Sequence, residues 1–210
     1  MDSRHLIYFS DPMCSWCYGF APVIGAIQGA FGERLPIRLV MGGLRPGTAE
    51  PWTETTRAQL REHWGHVAKA TGQPFDFAIL ERDDFVYDTD PAARAVVVTR
   101  RFDPELALAY LGRAQRAFYA QNRDVTSVEV LADLAAELGL PRSEFLAQLA
   151  TEEARTETWR DYAIAQRAGV SGFPTLVAGP NEEGVFGVVT RGFSPGPQVL
   201  PILQHWMEAA

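Results

Sequence analysis

Cys14 and Cys17 are the only cysteines in the chain, and they bracket a single dipeptide in Cys14-Ser15-Trp16-Cys17. The pair lies where an apolar run, Leu6-Ile7-Tyr8-Phe9, ends and a helical pattern begins. A cysteine at a helix N-terminus meets unpaired backbone N–H groups and the positive end of the macrodipole, which favour a thiolate over a thiol. The thiolate is the nucleophile of sulfur chemistry. With the second cysteine on the same side of the helix, a mixed disulfide formed on Cys14 can be resolved by Cys17. The chemistry open to these residues is thiol–disulfide exchange.

Positioning them requires a strand, a turn and a helix. Arg4 to Ser10 reads as a buried strand, Asp11-Pro12-Met13 as the turn, and Ser15 to Phe31 as the helix, with Phe20, Val23, Ile24, Ile27 and Phe31 forming one apolar stripe. Pro22 inside it predicts a kink just after the turn, and Gly32 closes it. Pro36 to Met41 reads as a second strand, so the first 48 residues contain a βαβ unit with parallel strands. From Thr48 to Arg167 the apolar period is helical throughout. It divides into helices over Trp52 to Ala70, Pro91 to Phe102 with Asp90 as its cap, and Glu105 to Tyr119. Three more follow: one opening on the capping-box pattern Thr126-Ser127-Val128-Glu129, one starting at Pro141, and one from Glu152 to Ala168. Strand signal returns in Thr175 to Ala178 and Val185 to Thr190, joined by a Gly/Pro/Asn turn that makes them antiparallel neighbours. A last helix runs from Gln198 to Ala209.

The bounds set the class. At 210 residues, 47% hydrophobic and 21% charged, the chain can bury a core without structural disulfides. A net charge of −7 argues against nucleic acid or an anionic membrane as partner. The N-terminal apolar run is too short for a signal peptide, and no stretch reaches the length of a membrane span, so a cytoplasmic location is expected. In that compartment an isolated Cys-x-x-Cys is catalytic or metal-binding in preference to structural.

The order strand, Cys-x-x-Cys helix, strand, two antiparallel strands and helix resembles the thioredoxin fold. Gly172-Phe173-Pro174-Thr175 resembles that fold's cis-proline loop, and Pro22, eight residues after Cys14, matches its kinked helix. The resemblance implies an α/β thioredoxin-like domain built from residues 1–48 and 168–210, with residues 49–167 as a large all-helical insertion, as in the DsbA family. The phrase Asp11-Pro12-Met13-Cys14-Ser15-Trp16-Cys17 is similar to the cytosolic FrnE-like branch, whose members are commonly labelled protein disulfide isomerases. The family's pattern makes Cys14 and Cys17 catalytic, and Ser15, Trp16, Phe173, Pro174 and Thr175 substrate-binding. It implies protein or peptide thiols and disulfides as substrates, glutathione as an alternative co-substrate, and no cofactor beyond the cysteine pair. Against a glutathione-buffered cytosol the pair is expected to rest mostly reduced. One position departs from the pattern: many such proteins place a buried acid six residues before the first cysteine, and this chain has Tyr8, which leaves the proton acceptor for Cys17 unidentified.

Competing readings are specific. Kappa-class glutathione transferases and 2-hydroxychromene-2-carboxylate isomerases share the inserted architecture, but typically with serine for the first cysteine. A zinc or iron–sulfur module would need further ligands. His63 and His66 are the candidates, yet helix projection places them where surface histidines ordinarily lie, so no metal is expected. Trp52, Trp64, Trp159 and Trp206 fall on helical stripes and are expected in the core, and the acid-rich stretch Thr151 to Glu157 reads as a solvated face. The sequence leaves the choice between monomer and homodimer open.

Overall fold

The computed structural model describes residues 4–208. Four strands form one mixed sheet: β1 (His5–Ser10), β2 (Ile37–Met41), β3 (Thr175–Gly179) and β4 (Gly187–Arg191), in the order β2-β1-β3-β4. β2 runs parallel to β1, while β3 is antiparallel to both β1 and β4. Between β1 and β2 lies α1 (Ser15–Phe31), and α8 (Gly196–Glu208) packs beside it. Between β2 and β3 the chain forms α2 (Glu54–Thr71), α3 (Asp90–Phe102), α4 (Leu106–Gln121), α5 (Val128–Ala136), α6 (Arg142–Leu149) and α7 (Glu152–Arg167). The architecture is an α/β thioredoxin-like fold with a large helical insertion.

The stripe read from the sequence is the buried face of α1: Phe20, Val23, Ile24, Ile27 and Phe31 are all at most 6% exposed. Each such side chain contributes roughly 1.5 to 3 kcal/mol of transfer free energy. The helix continues unbroken through Pro22. The insertion has its own aromatic centre, where fully buried Trp64 meets the rings of Phe75, Phe77, Phe118 and Tyr119.

Several local expectations are corrected. Asp90 does not cap α3: Thr89 holds that position, and the Asp90 carboxylate instead pairs with Arg94 one turn on. The capping box at Thr126 to Glu129 does not form: Ser127 caps α5 without a side-chain bond, Glu129 pairs with Arg142 and Thr126 bonds to Asp124. Trp159 is half exposed, whereas Trp64 and Trp52 are buried. The expected end of the last helix, Ala209, lies outside the described residues.

The insertion grips the sheet at the edge of β2. Arg100 of α3 donates to the Leu39 carbonyl at 2.9 Å, and the Met41 N–H donates to Asp161 Oδ2 of α7 at 3.0 Å. The two side chains are themselves paired bidentately, at 2.9 and 3.1 Å. A buried strand edge must satisfy its backbone groups, and here a side-chain ion pair takes the place of a fifth strand. Asp161 is 5% exposed, and removing one partner of such a pair leaves a charge without compensation. Asp161→Ala is therefore expected to lower stability by about 3 kcal/mol, read as a reduced urea midpoint with an unchanged slope.

Candidate active site

Cys14 is the N-cap of α1, with extended φ and ψ of −96° and 116° and no side-chain cap. Its backbone is held on both sides: its N–H donates to the Asp11 carbonyl at 3.2 Å, and its carbonyl accepts from Tyr18 N–H at 3.0 Å. Both cysteines are free thiols. Cys14 is 6% exposed and Cys17 fully buried. Burial first, and then Cys14 beside it, push the Cys17 thiol well above the ordinary cysteine range.

The turn before Cys14 is fixed by three parts of the chain. The Met13 carbonyl accepts two hydrogen bonds at 2.6 Å, from the hydroxyls of Tyr87 and Tyr119. Asp11, fully buried, accepts from Met13 N–H at 2.9 Å through Oδ1 and from Leu44 N–H at 2.8 Å through Oδ2. Burial raises the Asp11 carboxyl to about 6, against the opposing pull of those N–H donors. The sequence singled out Asp11 only as part of a phrase; its anchoring work depends on contacts with residues far along the chain.

The structure brings the distant loop to the cysteine. Phe173–Pro174 is a cis peptide, and the Cys14 thiol donates to the Phe173 carbonyl at 3.6 Å. The Phe173 ring lies over Gly42, where any Cβ would fall 2.1 Å from a ring carbon. Thr175 turns its hydroxyl inward to the Gly172 carbonyl at 2.8 Å. Phe173 and Thr175 also line a cavity of about 270 Å³, together with Val170, Ser171, Val177 and Arg191; neither cysteine lines it.

The variable pair faces the insertion. Ser15 Oγ lies 3.0 Å from His63 Nε2. The Trp16 ring stacks on Phe193 at 5.7 Å and meets the edges of His63 and His66. The sequence reading placed these two histidines on an ordinary surface; the fold sets that surface against the cysteine turn. Partial burial, with His66 beside it, holds the His63 ring below the usual histidine range. Their spacing on α2 was the available signal. Phe193 had none. Among the described residues no cluster of three His, Cys, Asp or Glu side chains suits a metal ion, and no helix is long and apolar enough to cross a membrane.

A βαβ unit carrying Cys-x-x-Cys at its turn, a cis-proline loop against the first thiol and a helical block between the sheet halves define a DsbA-type thioredoxin-fold protein. The chain belongs to the DSBA-like thioredoxin domain family, whose model matches residues 5–191. Among solved structures it is similar to a "putative protein disulfide isomerase" from Nitrosomonas europaea, with 36% identity, 99% of each chain covered and a TM-score of 0.90. It is also similar to the cytosolic disulfide reductase DsbM from Pseudomonas aeruginosa, with 29% identity, coverage of 98% of this chain and 100% of that one, and a TM-score of 0.81. DsbM has a further structure with GSH, 28% identical, covering 97% of this chain and 99% of that one, with a TM-score of 0.79. Among curated proteins, the ClpXP adapter protein SpxH of Halalkalibacterium halodurans is 22% identical over 95% of this chain, which spans 66% of that protein's length.

Asp11 supplies a pH signature. Its carboxyl is raised in the folded protein from the ordinary value of 3.8 to about 6, so the native state binds the proton more tightly than the unfolded state does. The sign follows: its contribution falls as pH rises from about 4 to about 6 and is level above that. Relative to Asp11→Asn, the wild type is expected to lose up to about 3 kcal/mol across that window. Chemical denaturation of both proteins between pH 4 and pH 7 checks it.

Proposed function

We propose that this protein is a thiol–disulfide exchange enzyme that reduces or isomerises disulfides of proteins, peptides or glutathione adducts, with Cys14 as nucleophile and Cys17 as resolving thiol. The observation that carries the reading is the division between the two sulfurs: Cys14 at the helix N-terminus, against the Phe173 carbonyl, and Cys17 buried one turn behind it. Exchange needs one sulfur that a substrate can reach and a second that only the first can reach. A conjugating enzyme has no use for the second.

In the reductive direction the Cys14 thiolate attacks a substrate disulfide; a Cys14–substrate S–S bond forms, the substrate S–S bond breaks, and one thiolate leaves and takes up a proton. Cys17 then loses its proton and attacks Cys14, closing the intramolecular disulfide and releasing the second substrate thiol. Two electrons pass to the substrate. Glutathione, as co-substrate, restores the dithiol, and no cofactor beyond the cysteine pair is required.

Residues 1–48 and 168–210 carry the sulfur chemistry in this reading, and the insertion, residues 49–167, supplies one wall of the substrate groove. Ser15, Trp16, Phe173, Pro174 and Thr175 form the floor, and Trp16 with Phe193, His63 and His66 gives it an aromatic rim. An extended peptide fits beside Phe173, whose successor, Pro174, has no N–H to compete for backbone acceptors. The names of the similar proteins, a cytosolic disulfide reductase among them, support reduction in the cytoplasm.

Cys17→Ser is expected to accumulate mixed disulfides on Cys14 that a thiol releases, and Cys14→Ser to abolish insulin reduction. Mass spectrometry of intact protein, with a turbidity assay, reads both. A reduction potential measured in glutathione buffers should fall below about −200 mV if reduction is the physiological direction; a value well above it would favour oxidation or isomerisation over reduction. Wild-type protein with no exchange activity would overturn the reading.

A further inference from the structure

Resolution requires Cys17 to give up a proton as it attacks, and Cys17 has no exposure through which to lose it. Two hydroxyls lie beside its sulfur, those of Tyr8 and Ser10, and both shift its proton affinity or are shifted by it. Both are fully or almost fully buried, and although they lie close enough to Cys17 and to each other to interact, neither hydroxyl makes a hydrogen bond of good geometry among the described residues. The amide nitrogen of Gln115, on α4, is a third such orphan. Buried polar groups left without partners are costly, and a polar cavity beside them is where ordered water belongs.

Two of these three groups, Tyr8 and Gln115, open onto a cleft whose other walls are largely apolar and which Ser10 itself does not line. The cleft, of about 180 Å³ between α1 and α4, is lined at its inner end by Tyr8 and Gln115, and at its mouth by the exposed residues Gln28 and Glu105. That volume holds several water molecules. Two glycines line the same cleft from opposite helices, Gly25 on α1 and Gly112 on α4. A Cβ at either would meet no atom within 4 Å, and neither has a positive φ. Glycine in a helix interior costs stability relative to alanine, and neither close packing nor backbone conformation asks for it here. What the two absent side chains do is keep the cleft open.

We propose that Tyr8, with Ser10 and Gln115, forms a water-borne proton path that connects Cys17 to solvent through the cleft between α1 and α4. The inference rests on the exchange reading above. In the resolving step Cys17 Sγ bonds to Cys14 Sγ, the bond from Cys14 to the substrate sulfur breaks, and the substrate leaves as a thiolate. The Cys17 proton passes to the Tyr8 oxygen while the Tyr8 hydroxyl gives its own proton to water in the cleft, and the departing thiolate takes a proton from solvent. Electrons move only among the three sulfurs. Burial holds the Tyr8 phenol well above its ordinary range, so Tyr8 acts as a neutral relay and never as a standing phenolate. It passes the proton on from the back of the site, while substrate enters at the front.

Stopped-flow mixing of the reduced protein with a symmetrical chromophoric aromatic disulfide separates the two chemical steps. One equivalent of coloured thiol is released as Cys14 attacks and a second as Cys17 resolves. Tyr8→Phe is expected to slow the second phase roughly tenfold or more, as loss of a positioned proton-transfer group does, and to change its solvent deuterium isotope effect, with the first phase unaltered. Gly112→Leu fills the cleft without approaching the sulfurs; it is expected to slow the second phase while the thermal midpoint stays at or above that of the wild type. Wild-type second-phase rates and isotope effects in both variants would overturn the proposal, as would equal slowing of both phases. A wild-type protein that releases a single equivalent would instead remove the exchange reading itself, and this inference with it.

Discussion

The Met13 carbonyl is the point on which the site depends. Two tyrosine hydroxyls from the insertion, Tyr87 and Tyr119, converge on it at 2.6 Å, and all three residues are buried. A buried hydroxyl that loses its acceptor carries the full desolvation penalty, about 1 to 3 kcal/mol. The insertion therefore cannot shift without leaving these groups unpaired. Tyr119 also stacks on Tyr18, one turn beyond Cys14, and its edge packs on Trp64 at the centre of the insertion. The aromatic core of the helical block and the backbone orientation of the cysteine turn are thus one packing problem.

Around that anchor the two sulfurs acquire different surroundings. Cys14 looks toward the cis-proline loop and the Trp16–Phe193 stack; Cys17 looks inward toward Tyr8 and Ser10. The front is aromatic and partly exposed. The back is polar, buried and short of hydrogen-bond partners. The same helix supplies both surroundings because Cys14 is its cap and Cys17 lies within its first turn. At the other side of the sheet, the Arg100–Asp161 pair closes the β2 edge, so the insertion is tied to the sheet both beside the cysteines and along its border.

The fold was legible because its signals are local. Hydrophobic period separates the strands from the helices, and the stripe Phe20 to Phe31 is the buried face of α1 for that reason. The hairpin of β3 and β4 followed from its turn residues, and the cysteine turn from its place between a strand and a helix. Capping was read less well. Asp90 and Glu129 each found an arginine, Arg94 and Arg142, in place of the local backbone. Those partners lie one turn away or on the next helix, and the local capping pattern carries no sign of them.

By itself the sequence determined the cysteine pair at a strand-to-helix junction, the order of elements and the long helical interruption, since each is written in residue type, spacing or period. What only the tertiary structure decided is which distant groups meet at the sulfurs. Tyr87 and Tyr119 on the Met13 carbonyl, His63 at Ser15, Phe193 on Trp16 and the Phe173 ring over Gly42 all join residues far apart in the chain. No periodicity encodes such meetings. They arise from the packing of the insertion on α1 and the β2 edge, where burial and hydrogen-bond satisfaction are settled for the molecule as a whole.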